Sequence, residues 1–250
     1  MNGEQATDRI VFAITGADRV KFLQGLVTND VDGLSDRMIY SALLTPQGKY
    51  LADFFLVAAD DSILLDVQQD LAAALLQRLS MYKLRADVTI AQSDLNVVRA
   101  IGPAPLGAWA DPRHRALGWR AYGTDKGTEP AIDWAGIRVA HCIPESGIEL
   151  IPNETYILEA GFEKLSGVDF KKGCYVGQEV TARMKHKTEL RKGLTIVDVT
   201  GSAPVGTAIL AGAKPVGTLF TQSDGQAIAY LRFDRAGMDM SAGDASVRIK

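Results

Sequence analysis

The chain has only two cysteines, Cys142 and Cys174, and three histidines, His114, His141 and His186. The cysteines are far apart and no Cys-x-x-Cys occurs, so the chain by itself offers neither a four-thiolate cluster site nor a structural zinc site. The histidines show no ligand spacing, and a bound metal would need ligands from a second chain or a small molecule. No apolar run approaches the ~20 residues needed to cross a bilayer. The opening residues are polar and mixed in charge, with neither a signal-peptide core nor an arginine-rich transit pattern. These absences point to a cytoplasmic protein with no membrane partner. A Walker loop, a nucleotide glycine fingerprint, Gly-x-Ser-x-Gly and His-Glu-x-x-His are all missing. An excess of one charge is missing too: the net charge of −3 argues against a general binder of nucleic acid or anionic membrane.

What is present is ordinary for a globular protein. The chain is 47% hydrophobic and 23% charged, enough to build a sizeable core. Ile10–Ile14 reads as a strand, and Gly16-Ala17-Asp18 opens a helix predicted to run to about Thr28. Ile39–Leu44 and Tyr50–Ala58 form a predicted hairpin around Thr45-Pro46-Gln47-Gly48. Ser62–Val67 is a further strand, Gln69–Leu79 a helix, and Val88–Ala91 and Asn96–Ile101 are strands. Gly102–Pro130 reads as a loop-rich connector with one strand near Leu117–Tyr122, and Ala131–Cys142 as a helix. After Arg191, Leu194–Val199, Thr207–Ala211, Pro215–Thr221 and Ala227–Leu231 are short strands between glycine-rich turns, the pattern of a small barrel or sandwich. The fold class is therefore α+β, a mixed sheet packed on one side by helices, with a domain over residues 1–190 and a β-domain over 191–250.

The segment with most chemistry is Phe-Lys-Lys-Gly-Cys-Tyr-Val-Gly-Gln-Glu-Val-Thr-Ala-Arg, Phe170 to Arg183. It sets Cys174 between Gly173 and Gly177, after two lysines and before a predicted helix. Positive charge and a helix N-terminus both favour a thiolate; a lone cysteine is otherwise a small buried hydrophobe, the reading given to Cys142. The basic run Lys171, Lys172, Arg183, Lys185, His186, Lys187, Arg191 and Lys192 suits an anionic tail, a phosphate or a nucleic acid, or is a solvated helix face. Asp53 sits among apolar neighbours on the return strand of the hairpin. It either blunts an edge or lines a pocket, where it could meet the amino–imino edge of a pterin-type ring. Glu159 poses the same choice.

Lys-Gly-Cys-Tyr-x-Gly-Gln-Glu, Lys172 to Glu179, resembles the signature of the YgfZ/Iba57 family, and Val180–Arg183 fits the Iba57 branch in particular. Gly16-Ala17-Asp18 to Gln24, Thr28-Asn29-Asp30-Val31 and Leu43–Lys49 are similar to the family's opening helix, turn and hairpin. The resemblance implies an aminomethyltransferase-like folate-binding domain with a ferredoxin-like element, followed by a C-terminal β-barrel. It implies a tetrahydrofolate cofactor held by Asp53 and Glu159, with Lys172, Tyr175, Gln178 and Arg183 of the signature as further contacts and Cys174 as the reactive or cluster-contacting thiol. It implies work in assembly or repair of [4Fe–4S] clusters, with iron–sulfur assembly proteins or client enzymes as partners, such as dehydratases and radical tRNA-modifying enzymes. The alternative is a folate-dependent one-carbon transferase. The aminomethyltransferase carries adjacent aspartates where this chain has Ala52-Asp53, which points away from glycine cleavage. A tRNA-binding module is a third reading, disfavoured by the acidic balance.

Overall fold

The computed structural model describes residues 3–187, 189–237 and 239–250, apart from the side chain of Lys187. The chain forms two compact units, one of residues up to Ile132 with Glu163–Val180, the other of Asp133–Phe162 with Thr181–Lys250. The segment 133–162 thus packs with the C-terminal part of the chain, although it precedes the Cys174 signature.

The elements of the first unit are β1 (Glu4–Gln5), β2 (Arg9–Thr15), α1 (Arg19–Gln24), β3 (Ile39–Leu44), β4 (Tyr50–Ala59), β5 (Ser62–Gln68), α2 (Gln69–Lys83), β6 (Thr89–Gln92), β7 (Asn96–Ala100), β8 (Trp109–Ala110) and β9 (Trp119–Gly123). They make an antiparallel five-stranded sheet, ordered β3-β4-β5-β2-β6, and a four-stranded sheet, β1-β7-β9-β8. Side chains alternate between sheet faces. Ala52, Phe54 and Leu56 of β4 join Ile63, Leu65 and Val67 of β5 in a core shared with Phe22 and Leu23 of α1 and Leu75 and Leu79 of α2. The opposite face carries Asp53, Phe55 and Asp66. Strand β9 alternates in the same way: Trp119 and Ala121 enter a small apolar cluster with Val98, and Arg120 and Tyr122 turn toward Asp66.

Helix α1 is shorter than its sequence suggests. It stops at Gln24: Val27 N–H still donates to the Leu23 carbonyl at 3.0 Å, but Val27 bridges Leu43 of β3 and Thr28 N–H donates to the Ala42 carbonyl at 3.0 Å. The sheet edge offers those backbone groups partners, and satisfying them outweighs the weak helix propensity of Gly25, Val27 and Thr28.

The second unit contains α3 (Trp134–His141), most of α4 (Gln178–Lys187), β10 (Lys192–Thr200), β11 (Thr207–Ala211), β12 (Lys214–Ser223), β13 (Gln226–Arg232), β14 (Met240–Ala242) and β15 (Ala245–Ile249). The strands close a barrel in the order β10-β13-β12-β11-β14-β15, which removes free sheet edges. Val197, Ile209, Leu219, Ala229, Leu231 and Val247 fill it. Arg138 of α3 is tied to it by Thr221 Oγ1 at 3.1 Å and by the Glu149 carboxylate at 3.0 Å. No helix among the described residues is long and apolar enough to cross a membrane.

Candidate functional site

Cys174 lies exposed in the irregular segment that leads into the Tyr175–Gln178 turn before α4, and among the described residues no cluster of three or more His, Cys, Asp or Glu could hold a metal ion. Three sequence motifs converge to hold this turn. The first is Thr28-Asn29-Asp30. Thr28 Oγ1 donates to the Gly167 carbonyl at 2.7 Å, Asn29 Nδ2 donates to the Ser166 carbonyl at 2.7 Å, and Asp169 N–H donates to the Thr28 carbonyl at 3.0 Å. The second is Lys172, 8% exposed, whose ammonium donates to the carbonyls of Val27 at 2.6 Å and Asn29 at 2.8 Å and lies 5.4 Å above the Tyr175 ring. The third is the hairpin. Gly177 has φ +84°, and a Cβ there would stand 2.7 Å from the Thr45 carbonyl oxygen, so glycine is required both by conformation and by close approach. Gly173 is different: its φ is outside the left-handed region and its surroundings are open.

Lys172 therefore positions the turn. Burial brings its pKa down to about 8, against the support of Asp30, Asp169 and Asp32. An unfolded lysine titrates near 10.4. Between those values unfolding takes up a proton, so this residue's contribution to stability rises with pH. Thermal melts should show the gap between wild type and Lys172→Met widening in favour of wild type from about pH 8 to pH 10; a gap that does not change with pH refutes this. Gly177→Ala should lower the melting temperature by several degrees, since a strained φ and a backbone clash together cost on the order of 1–3 kcal/mol.

The remaining signature residues divide by burial. Tyr175 is buried under Lys172, Gln178 is half-buried with Nε2 donating to the Gly173 carbonyl at 3.3 Å, and Arg183 is exposed on α4. The basic run is divided between the two units. Lys172 is internal, Lys171 is exposed within the first unit, and Arg183, Lys185, His186, Arg191 and Lys192 are exposed in the second. The side chain of Lys187 lies outside the described residues.

Glu159 belongs to the second unit and is 8% exposed. Tyr230 donates its hydroxyl to one carboxylate oxygen at 2.6 Å, and the Lys192 ammonium lies 3.6 Å from the other. Burial and the Glu159 hydrogen bond push the Tyr230 phenol far above its usual pKa, so it stays a donor. Gly193 admits this arrangement: a Cβ would stand 2.8 Å from the Glu159 carbonyl oxygen, which accepts from Leu194 N–H at 2.8 Å. Glu159 borders a cavity of about 260 Å³ with Glu149, Thr155, Thr218, Phe220 and Tyr230 on its walls. A carboxylate beside aromatic rings in such a space suits a flat ring with an N–H edge.

Asp53 is not at an edge, since β4 lies between β3 and β5; the edge reading is overturned. Its carboxylate accepts from the Tyr50 hydroxyl at 2.5 Å and the Tyr40 hydroxyl at 2.9 Å. Next to it is a charge network that sequence reasoning missed. Asp66 holds Arg9 Nε at 2.6 Å, Arg120 Nη1 at 3.3 Å and the Tyr122 hydroxyl at 3.0 Å. Asp111 holds Arg113 through two bonds, at 3.1 and 2.9 Å. Burial alone would raise the Asp111 carboxyl, but Arg113 and then Arg120 hold it below its usual value. The signal available was the alternation Trp119-Arg120-Ala121-Tyr122, with every second residue polar.

The C-terminal residues 191–250 match the family described as CAF17, C-terminal beta-barrel domain. A search of solved structures finds the glycine cleavage system aminomethyltransferase T from Bartonella henselae, with TM-score 0.78 over 98% of this chain and 84% of that one, at 13% identity; this likeness establishes the fold. Among curated proteins, the mitochondrial iron–sulfur cluster assembly factor IBA57 of Mus musculus is 31% identical over 90% of this chain and 72% of its own length. The Homo sapiens protein of the same name is 30% identical over 93% of this chain and 74% of its own. The Neurospora crassa homologue is 31% identical, and the match spans 54% of its length. With an aminomethyltransferase-like fold, a closed C-terminal barrel and relatives at 30–31% identity matched over 72–74% of their own length, the chain belongs to the IBA57/YgfZ family.

Proposed function

We propose that this protein is an accessory factor in the assembly or repair of [4Fe–4S] clusters and that Cys174 is the thiol it brings to the cluster. The observation that carries this reading is an exposed cysteine on a turn clamped by Lys172, the Thr28–Asn29 loop and the hairpin. The names of its relatives support the same role. Cysteine thiolates are the usual ligands of such clusters, and one thiol cannot hold a cluster alone. The remaining ligands come from an assembly partner or a client, so Cys174 contributes to a shared, transient site.

Tetrahydrofolate is the cofactor this reading carries, with Glu159 as the carboxylate that meets the ring. The Glu159 cavity fits such a group, since an ionised carboxylate has acceptor capacity beyond the Tyr230 bond. When bound, the folate would supply a one-carbon acceptor. Arg183 is exposed and would be available to an anionic tail, while Lys172 is engaged with two carbonyls. The clients are proposed to include [4Fe–4S] dehydratases and radical tRNA-modifying enzymes.

The test is a strain deleted for this chain, assayed for a [4Fe–4S] dehydratase under oxidative stress. The expected result is a severalfold deficit in dehydratase activity with normal polypeptide abundance, repaired by anaerobic iron and sulfide, as cluster loss requires. Full activity in the deletion strain overturns the proposal.

A further inference from the structure

The helix-free face of the five-stranded sheet carries Asp53, the residue for which a ring-binding role was expected, and the structure fills that face with the protein's own groups. Asp53 is 3% exposed, and each of its carboxylate oxygens already accepts a tyrosine hydroxyl, from Tyr50 and from Tyr40. Burial and then the neighbouring Asp53 push the Tyr40 phenol well above its usual pKa, which keeps it a donor. Beside this carboxylate, Phe55 is 1% exposed and surrounded by guanidinium groups. The Arg120, Arg113 and Arg9 guanidinium carbons lie 4.1, 4.8 and 5.6 Å from its ring centre. Arg113 also lies 5.4 Å from the centre of the Tyr40 ring.

Three arginines thus meet Asp66 and Asp111 as ion-pair partners, and Asp53 closes the tyrosine end of the same face. A planar ligand entering here would have to break charged pairs that are desolvated and bonded to each other, and would leave guanidinium groups buried without counter-ions. The Asp53 carboxylate keeps free lone pairs, but it is 3% exposed, and reaching it would mean moving Tyr40 or Tyr50 and stranding a buried hydroxyl.

We propose that this face is not a ligand pocket in this chain: Asp53 is the acceptor that fixes Tyr40 and Tyr50, the arginine–Phe55 stack stands where a ring would lie, and of the two expected carboxylates only Glu159 recognises folate. The inference deepens the folate part of the function proposed above and rests on it. It also removes Asp53 as an accessible base, which separates this chain from a one-carbon transferase acting through that carboxylate.

The experiment is calorimetric titration of 5-formyltetrahydrofolate into the full chain, with thermal melts, for wild type, Asp53→Asn and Glu159→Gln. Asp53→Asn is expected to lower the melting temperature yet leave the dissociation constant within about twofold, while Glu159→Gln weakens binding roughly tenfold or more. Hydrogen exchange supplies a second readout without mutation: saturating ligand should leave protection of β3 and β4 amides unchanged. An Asp53→Asn protein that melts like wild type and binds about tenfold more weakly, or ligand-induced protection of β3 and β4, overturns the inference. If wild type does not bind 5-formyltetrahydrofolate, the folate part of the proposed function falls. The inference about the sheet face is then decided by the melts, standing if Asp53→Asn lowers the melting temperature and failing if it does not.

Discussion

Cys174→Ser is expected to reduce complementation of the dehydratase defect to the level of the deletion strain while leaving the protein folded. The side chain is exposed. A surface replacement of this kind changes stability by about 0.5 kcal/mol or less. The hydroxyl of serine does not ionise near neutral pH and is a poor ligand for iron, so loss of the thiol removes cluster contact and little else. The paired measurements are dehydratase activity in the complemented strain and the melting temperature of the purified variant. Loss of activity with an unchanged melt assigns the function to the thiol. Full complementation by Cys174→Ser would place the activity elsewhere on the protein. Loss of activity accompanied by unfolding would make Cys174 a structural residue, contrary to its exposure.

Asp66→Ala should be the most destabilising single change in the first unit. The Asp66 side chain is 1% exposed, and those of Arg9 and Arg120 are 4% and 5% exposed. Removing the carboxylate leaves two buried guanidinium groups without that counter-charge and the Tyr122 hydroxyl without its acceptor. Breaking one side of a buried pair costs about 3–5 kcal/mol. At ~2–4 °C per kcal/mol for a chain of this size, the expected fall in melting temperature is roughly 6–20 °C. Asp66→Ala with Arg9→Met should recover part of the loss, because the second change removes one stranded charge. Calorimetric melts of the single and double variants check both statements. A fall of less than about 1 °C would show the network to be energetically idle.

The local elements were largely legible. The hairpin of β3 and β4 follows from turn chemistry between two apolar strands, and α2 follows from leucines at helical spacing. The barrel strands β10 to β13 follow from short apolar runs between glycines; β14 and β15, only three and five residues long, carry too little pattern to stand out. The signature around Cys174 announced the family. The network around Phe55 was not legible. Arg113 and Arg120 fall in a stretch rich in proline and glycine that reads as a connector, and a charged residue at alternate strand positions reads as a solvent face. Nothing in the local pattern says that Asp66, 54 residues from Arg120, supplies its counter-charge.

The same division runs through the site. By itself the sequence determined most of the helices and strands and the family signature around Cys174, because these depend on side-chain periodicity, turn residues and a long specific motif. Only the tertiary structure decided that Lys172 caps carbonyls 145 and 143 positions away, that Asp53 is sealed by two tyrosines, and that Glu159 borders a cavity. The reason is physical. A buried charge is tolerable only where partners satisfy it, and those partners come from remote parts of the chain brought together by folding.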